Sequence, residues 1–318
     1  MTGQWQFWVD RGGTFTDIVA ITPDGKMVSH KLLSSNPSQY QDATLEGIGQ
    51  LQRQYPDFST TISQLRIGTT VATNALLERK GEPTVLVTTK GFADSLTIGY
   101  QQRDNLFSLN IKKTLPLYCE VIEINERVDA AGDVVIKPCA KTIIAQLQAV
   151  YNRGLRSLAI VFMHGYQFCD HELLVAKLAR EIGFTQVSTS YQVSKLIRFV
   201  SRGDTTVVDA YLSPILSQYV RRLSRALKGV TIEFMQSSGG LISGDRFKGK
   251  DAVLSGPAGG VVAMVETSKL AGFEQIIGFD MGGTSTDVSL YNGHYERDWE
   301  TTVAGVRMRA PMMSIHTV

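Results

Sequence analysis

The sequence has little that would tie it to a membrane, an oxidising compartment or a nucleic acid. Only three cysteines occur in 318 residues. Cys119, Cys139 and Cys169 are odd in number and widely spaced, which argues against a disulfide framework and suits a reducing compartment. No run approaches the roughly 18 consecutive apolar residues that span a bilayer. The N-terminus lacks the charged-then-apolar pattern of a signal peptide, so a cytoplasmic location is expected. An excess of one charge is missing too: 32 Lys and Arg face 30 Asp and Glu, for a net charge of +2. With no basic run, neither a nucleic-acid nor a membrane partner is expected. Three common signatures are also absent. There is no G-x-x-x-x-G-K-[ST] for a P-loop, no G-x-G-x-x-G after a strand for a dinucleotide fold, and no G-x-S-x-G nucleophile elbow.

What is present is a globular composition, 43% apolar and 19% charged, in a chain long enough for two domains. Within it one eight-residue pattern occurs twice. Asp10-Arg11-Gly12-Gly13-Thr14-Phe15-Thr16-Asp17 lies near one end, and Asp280-Met281-Gly282-Gly283-Thr284-Ser285-Thr286-Asp287 near the other. Both read D-x-G-G-T-x-T-D. A second chance match to six fixed positions has a probability on the order of 10⁻⁵ at average residue frequencies. The flanks repeat as well: strand-like Gln6 to Val9 and Ile276 to Phe279 lead in, and Ile18 to Ile21 and Val288 to Tyr291 lead out. Pro23-Asp24-Gly25 and Asn292-Gly293 then turn the chain. The repeated unit is strand, Gly-Gly-Thr turn, strand, turn.

The residue types fit an anion grip. Paired glycines let backbone N–H groups approach phosphate oxygens without Cβ interference, and the threonine hydroxyls add donors. A carboxylate repels phosphate, so the leading Asp10 and Asp280 make sense as ligands, direct or through water, of a phosphate-bound Mg²⁺. The bland alternative is a pair of hairpins whose turns happen to be Gly-Gly-Thr.

Between the motifs the pattern is α/β. Helical spacing covers Ala72 to Arg79, Thr142 to Tyr151 and His171 to Ile182. Strands are expected at 84–89, 120–128, 134–136 and 157–163. A helix is expected from Arg202 through Ala210, with Pro214 opening a second run to Leu227. A strand at 231–236 leads to the loop Ser237-Ser238-Gly239-Gly240, and Leu254 to Gly260 forms a turn before a helix ending near Gly272. Alternation at this interval implies crossovers and a largely parallel or mixed sheet. A domain boundary is placed near residue 200, giving 1–200 and 201–318.

Other stretches carry two readings each. Gly68-Thr69-Thr70-Val71-Ala72-Thr73-Asn74 is either a plain N-cap or a third wall of an anion site. Gly256-Pro257-Ala258-Gly259-Gly260 is either close helix packing or contact with a nucleotide. Gln101-Gln102-Arg103-Asp104-Asn105 reads as a solvated loop, with Arg103 as the alternative holder of a substrate carboxylate. His164, Cys169 and His171 fit no zinc spacing. Arg202-Gly203-Asp204 reads as a capped helix start rather than an adhesion tripeptide.

Two phosphate hairpins in a duplicated α/β chain resemble the actin–hexokinase–Hsp70 ATPase superfamily, with its ribonuclease H-like fold. Within it the wording is similar to the hydantoinase A/5-oxoprolinase family. The resemblance rests on the two D-x-G-G-T-x-T-D stretches, Gly68 to Asn74, Ser201-Arg202-Gly203-Asp204-Thr205-Thr206, Met235 to Gly240 and Leu254 to Gly260. Arg11 looks more like the 5-oxoprolinase branch than the hydantoinase branch, where Val is usual.

That resemblance implies an ATP- and Mg²⁺-dependent hydrolase that opens a cyclic amide, 5-oxoproline or a hydantoin, by phosphorylating its carbonyl oxygen. A hydantoinase B-like hydrolytic partner, subunit or domain, and homo-oligomerisation are expected with it. Gly12, Gly13, Thr14 and Thr16, with Gly282, Gly283, Thr284 and Thr286, are then the phosphate contacts, and Asp10 and Asp280 the metal and catalytic candidates. The family's ATPase part is about twice this length. The second domain is therefore expected to be incomplete, its adenosine-binding side missing and turnover by the chain alone absent. Two alternatives remain: ketone activation of the acetone carboxylase type, and a non-catalytic actin-like nucleotide-binding module.

Overall fold

The computed structural model describes residues 3–101, 107, 109–110, 113–281 and 286–317. The chain forms two compact units. One comprises Met1–Ala75, Ile215–Trp299 and Pro311–Val318, the other Leu76–Pro214 and Glu300–Ala310. Residues from both sides of position 200 enter each unit.

The first unit begins with three antiparallel strands, β1 (Trp5–Arg11), β2 (Phe15–Ile21) and β3 (Met27–Leu33). Alternation decides what they bury: Trp5, Phe7 and Val9 of β1 and Ile18 and Ala20 of β2 are in the core, as period-2 geometry requires. Helix α1 (Ala43–Gln54) follows, capped by Asp42, whose side chain accepts from the N–H groups of Thr44 and Leu45. Strand β4 (Ile62–Thr69) lies parallel to β1 and leads into α2 (Val71–Leu77).

The second unit holds β5 (Thr84–Thr89), the short α3 (Ser95–Ile98), β6 (Tyr118–Ile124) and the small hairpin β7 (Arg127–Val128) and β8 (Val134–Ile136). Next come α4 (Ala140–Asn152), β9 (Ser157–Val161), α5 (Asp170–Ile182), β10 (Gln186–Thr189) and α6 (Ser190–Val193). The four main strands form a parallel sheet in the order β10-β9-β5-β6. Every residue of β5 and β9 is buried, as expected of parallel strands covered on both faces.

Helix α7 (Phe199–Ala226) runs without a break through Pro214, where the sequence suggested two helices. Proline supplies no N–H for the carbonyl four residues back, Ala210. That carbonyl accepts the Ser157 hydroxyl at 2.7 Å, and the next one, Tyr211, accepts the Glu82 N–H at 3.0 Å. Ser157 of β9 thus replaces the lost helical bond, and Glu82 before β5 bonds the neighbouring carbonyl.

The chain then returns to the first unit with β11 (Thr231–Met235), parallel to β4, and β12 (Leu241–Ser243). Together they complete a six-stranded sheet in the order β12-β11-β4-β1-β2-β3. Helix α8 (Ser255–Leu270) precedes a second hairpin, β13 (Gln275–Met281) and β14 (Thr286–Asn292). Four short strands follow, β15 (Arg297–Asp298), β16 (Thr301–Val303), β17 (Val306–Met308) and β18 (Met312–Met313). β19 (Ile315–Thr317) closes the sheet β13-β14-β19. Among the described residues no helix is long and apolar enough to cross a membrane.

Candidate functional site

The strands flanking both repeated motifs pair antiparallel as their sequences suggested, and in the same register. Asp10 pairs with Asp17 across β1 and β2, and Asp280 pairs with Asp287 across β13 and β14. Each hairpin therefore sets two carboxylates side by side, an arrangement that is repulsive unless something offsets it. Both hairpins belong to the first unit. Residues Gly282, Gly283 and Thr284 lie outside the described residues.

At the first tip the turn is held from beneath. The Gly12 N–H donates to the Phe15 carbonyl at 3.0 Å, and the Ser34 N–H to the Thr14 carbonyl at 2.9 Å. The Ser34 hydroxyl donates to the Gly12 carbonyl at 2.7 Å and meets the Thr16 hydroxyl at 2.9 Å. Thr16 is fully buried, so its side chain braces the turn from the core side. Gly13 and Thr14 are exposed, and their N–H groups have no partner among the described residues. These two are the donors that the hairpin presents outward.

The two glycine-containing stretches with open readings converge on Asp10. A Cβ on Gly68 would lie 3.4 Å from an Asp10 carboxylate oxygen, and one on Gly256 would lie 3.5 Å from it. Both distances are ordinary van der Waals contact, so the two stretches pack directly beside the carboxylate. Ser255 fastens the stretches together: the Thr69 N–H donates to its hydroxyl at 3.2 Å, and that hydroxyl donates to the Met235 carbonyl at 2.6 Å. Thr73 adds a bond from its hydroxyl to the Val253 carbonyl. Thr70 and Asn74 stand beside the hairpin tip. The Thr70 N–H donates to the Arg11 carbonyl at 3.0 Å, and a Cβ on Gly13 would come 3.3 Å from the Asn74 amide nitrogen.

Electrostatics marks Asp10 as the focus. The surrounding chain strips water from its carboxyl, and repulsion from Asp17 and then Asp280 adds to this, so its pKa is raised despite partial relief from Lys31. The residue as a whole keeps an exposed surface, so the loss of water is local to the carboxyl. Repulsion from Asp280 puts the leading carboxylates of the two hairpins within electrostatic reach of each other.

Arg11 points to the opposite side of β1 from Asp10. Its guanidinium lies 4.7 Å from the Tyr219 ring centroid and 3.8 Å from Asp42. Arg11 thus ties the hairpin to the α1 cap and α7.

A divalent ion suits this donor set. Among the described residues no three His, Cys, Asp or Glu side chains form a cage. Mg²⁺ rarely needs one, because it keeps waters and takes one or two carboxylates plus phosphate oxygens. Asp10 and Asp280 can supply those carboxylates. His164, Cys169 and His171 form no metal group. The His171 ring nitrogen Nδ1 instead meets Glu126 at 2.6 Å in the buried interior of the second unit. Arg202, part of the tripeptide Arg202-Gly203-Asp204, is fully buried and donates to the carbonyls of Phe162, Met163, Leu196 and Ile197. It lies inside α7, not at its start. Of the loop carrying Arg103, residues 102–106 lie outside the described residues.

The hydantoinase/oxoprolinase N-terminal region matches residues 6–183, and the hydantoinase/oxoprolinase domain matches residues 202–318. The chain belongs to the hydantoinase/oxoprolinase family. It is 42% identical to the 5-oxoprolinase of Saccharomyces cerevisiae over 99% of its own length and 28% of that protein. It is 28% identical to caprolactamase subunit alpha of Pseudomonas jessenii, over 99% of the chain and 47% of that protein. The crystal structure of ATP-dependent caprolactamase from the same organism matches at a TM-score of 0.84, covering 98% of the chain and 48% of the solved chain. Nucleotide-free acetone carboxylase also matches at 0.84, covering 98% of the chain and 47% of that chain, with 22% identity. The family member described here thus has the expected actin-like ATPase fold. It spans little more than a quarter of the curated 5-oxoprolinase that it matches.

Proposed function

We propose that this chain supplies the phosphate grip of an ATP-dependent hydrolase that opens a cyclic amide, 5-oxoproline or a hydantoin. The observation that carries the reading is the pair of hairpins with matched register in one unit, with Gly68 and Gly256 packed beside the Asp10 carboxyl, whose pKa is raised by burial and by repulsion from Asp17 and Asp280. Relatives named 5-oxoprolinase and ATP-dependent caprolactamase support the substrate class. When bound, Mg–ATP supplies the γ-phosphoryl group that converts the amide carbonyl oxygen into a leaving group.

Each group of the chain has a part to play. The Gly13 and Thr14 N–H groups, with Gly282, Gly283, Thr284 and Thr286 of the second hairpin, orient the phosphates. Asp10 and Asp280 hold the cation between the hairpins. Thr16 fixes the shape of the first turn through Ser34. Positioning and charge neutralisation are most of what phosphoryl transfer asks of a protein. Hydrolysis of the activated ring belongs, in this reading, to a hydantoinase B-like partner in the cytoplasm.

Two measurements test the proposal. In the completed protein, Asp10→Ala and Gly283→Val should each abolish Mg–ATP binding by calorimetry while leaving the circular dichroism spectrum intact; unchanged binding in both removes the assignment. In a preparation that also carries the rest of the family's length, phosphate release from ATP should rise with 5-oxoproline or a hydantoin. A response only to acetone with bicarbonate would transfer the reading to ketone activation.

A further inference from the structure

The duplication extends one strand further than the repeated sequence. In the first copy β3 pairs with β2 and sets Lys31 opposite Asp17. In the second, β19 pairs with β14 and sets Thr317 opposite Asp287. Both third strands are antiparallel and stand in the same register, so Lys31 and Thr317 are equivalent positions. Their chemistry differs by a full charge.

The consequences for the two carboxylate pairs are opposite. The Lys31 ammonium lies 2.8 and 2.9 Å from the two oxygens of Asp17. Both oxygens are engaged by a fixed internal cation, and Asp10 is the carboxylate left over at that hairpin. At the second hairpin Thr317 donates its hydroxyl to one oxygen of Asp287 at 2.6 Å. That bond leaves the charge in place, and the other oxygen has no partner among the described residues. Asp280 and Asp287 therefore face each other with no counter-charge from the third strand. Two like carboxylates at one cross-strand position need such a charge, and a phosphate-bound cation can supply it.

We propose that Lys31 is a positioning residue that assigns the metal. By closing Asp17 it leaves one carboxylate at the first hairpin, while Thr317 leaves two, Asp280 and Asp287, at the second. The cation is thereby drawn to the second hairpin, with Asp10 reaching it from the first. This inference rests on the phosphate-grip reading above and adds an asymmetry that the two identical motifs conceal.

The experiment is Mn²⁺ binding followed by electron paramagnetic resonance, with ADP present, in the wild type and four variants. Lys31 and Asp17 are both more than half exposed, Thr317 is exposed and Asp287 half-buried, and folding of each variant is checked by circular dichroism. Lys31→Met should tighten Mn²⁺ roughly threefold to tenfold, the scale of one unit charge acting through solvent-screened contact. Thr317→Lys should weaken it by a similar factor. The charge-matched double variant Asp17→Asn with Lys31→Met should bind as the wild type does, whereas Asp287→Asn should weaken binding about fivefold or more. If Lys31→Met and Asp287→Asn leave Mn²⁺ affinity unchanged while the wild type binds, the assignment is overturned and the grip stands. If the wild type itself binds no Mn²⁺ with ADP, both fall together.

Discussion

Ser157→Ala should cost far more in this protein than an ordinary serine on a strand would, and the excess should vanish when Pro214 is replaced. The Ser157 hydroxyl is fully buried and donates at 2.7 Å to the Ala210 carbonyl, which Pro214 deprives of its helical N–H. Removing the hydroxyl forfeits a neutral hydrogen bond, worth about 1 kcal/mol net, and strands a buried carbonyl for a further 1 kcal/mol or so. The expected loss in the wild-type background is therefore about 2 kcal/mol. With Pro214→Ala in place, the new N–H at position 214 takes up the same carbonyl. Ser157→Ala should then cost only about 0.5–1 kcal/mol, a coupling of about 1 kcal/mol between residues far apart in sequence. Urea unfolding of the four proteins, compared at constant m value, measures it. An equal cost for Ser157→Ala in both backgrounds would show that the hydroxyl does not stand in for the missing bond.

The Asp204 carboxyl is pushed up to about 6 by burial, against the attraction of Arg307, which lies 3.0 Å away. Its folded value exceeds the unfolded one of about 3.9, so its contribution is fully present below about pH 4 and lost as pH rises through 6. Lowering the pH from 7.5 to 5.5 should add about 1 kcal/mol from this group, and Asp204→Asn should flatten that slope in urea midpoints taken across the range. Gly81→Ala would place a Cβ 2.0–2.3 Å from the Tyr211 ring. A loss of roughly 2 kcal/mol or more is expected, recovered in part when Tyr211→Ala opens the space, as read by thermal melting of the two variants. Arg202→Met should strand four carbonyls and remove the attraction that Arg202 exerts on the buried Glu172 carboxyl, costing roughly 3–5 kcal/mol. Arg202→Lys should fail to rescue it in the same assay, because one ammonium cannot reproduce the planar fork.

The paired strands around both motifs could be read from the residues. Asp10 and Asp280, the two Gly-Gly-Thr turns and their flanking strands are local features, and cross-strand pairing of the end aspartates follows from a hairpin of that length. The neighbourhood of Gly68 and Gly256 could be named but not decided, because only the tertiary structure puts their missing side chains against Asp10. Thr16 looked like another hydroxyl donor. Its place on the buried side of β2 follows from alternation with Ile18 and Ala20, a signal that was available in the sequence. Lys31 and Thr317 lie at different distances from their aspartates, so no repeat search pairs them; only strand register does. Pro214 suggested a helix break, since nothing local reveals that Ser157 occupies the freed Ala210 carbonyl. The return of β11 to the sheet begun by β1 is likewise a long-range event without a local mark.

The return of the chain also sets a timetable. The six-stranded sheet needs β11 and β12, and these are translated only after all of Leu76–Pro214. At ribosomal rates of about 5–20 residues per second, β1, β2 and β4 wait on the order of ten seconds for their missing neighbour. Over that interval β4 is an open edge, with its outer row of backbone groups available to any passing strand. The four parallel strands between β5 and β10 are contiguous in sequence and have no such wait. The four-stranded parallel sheet is thus free to form during synthesis, before the sheet that carries Asp10 can close.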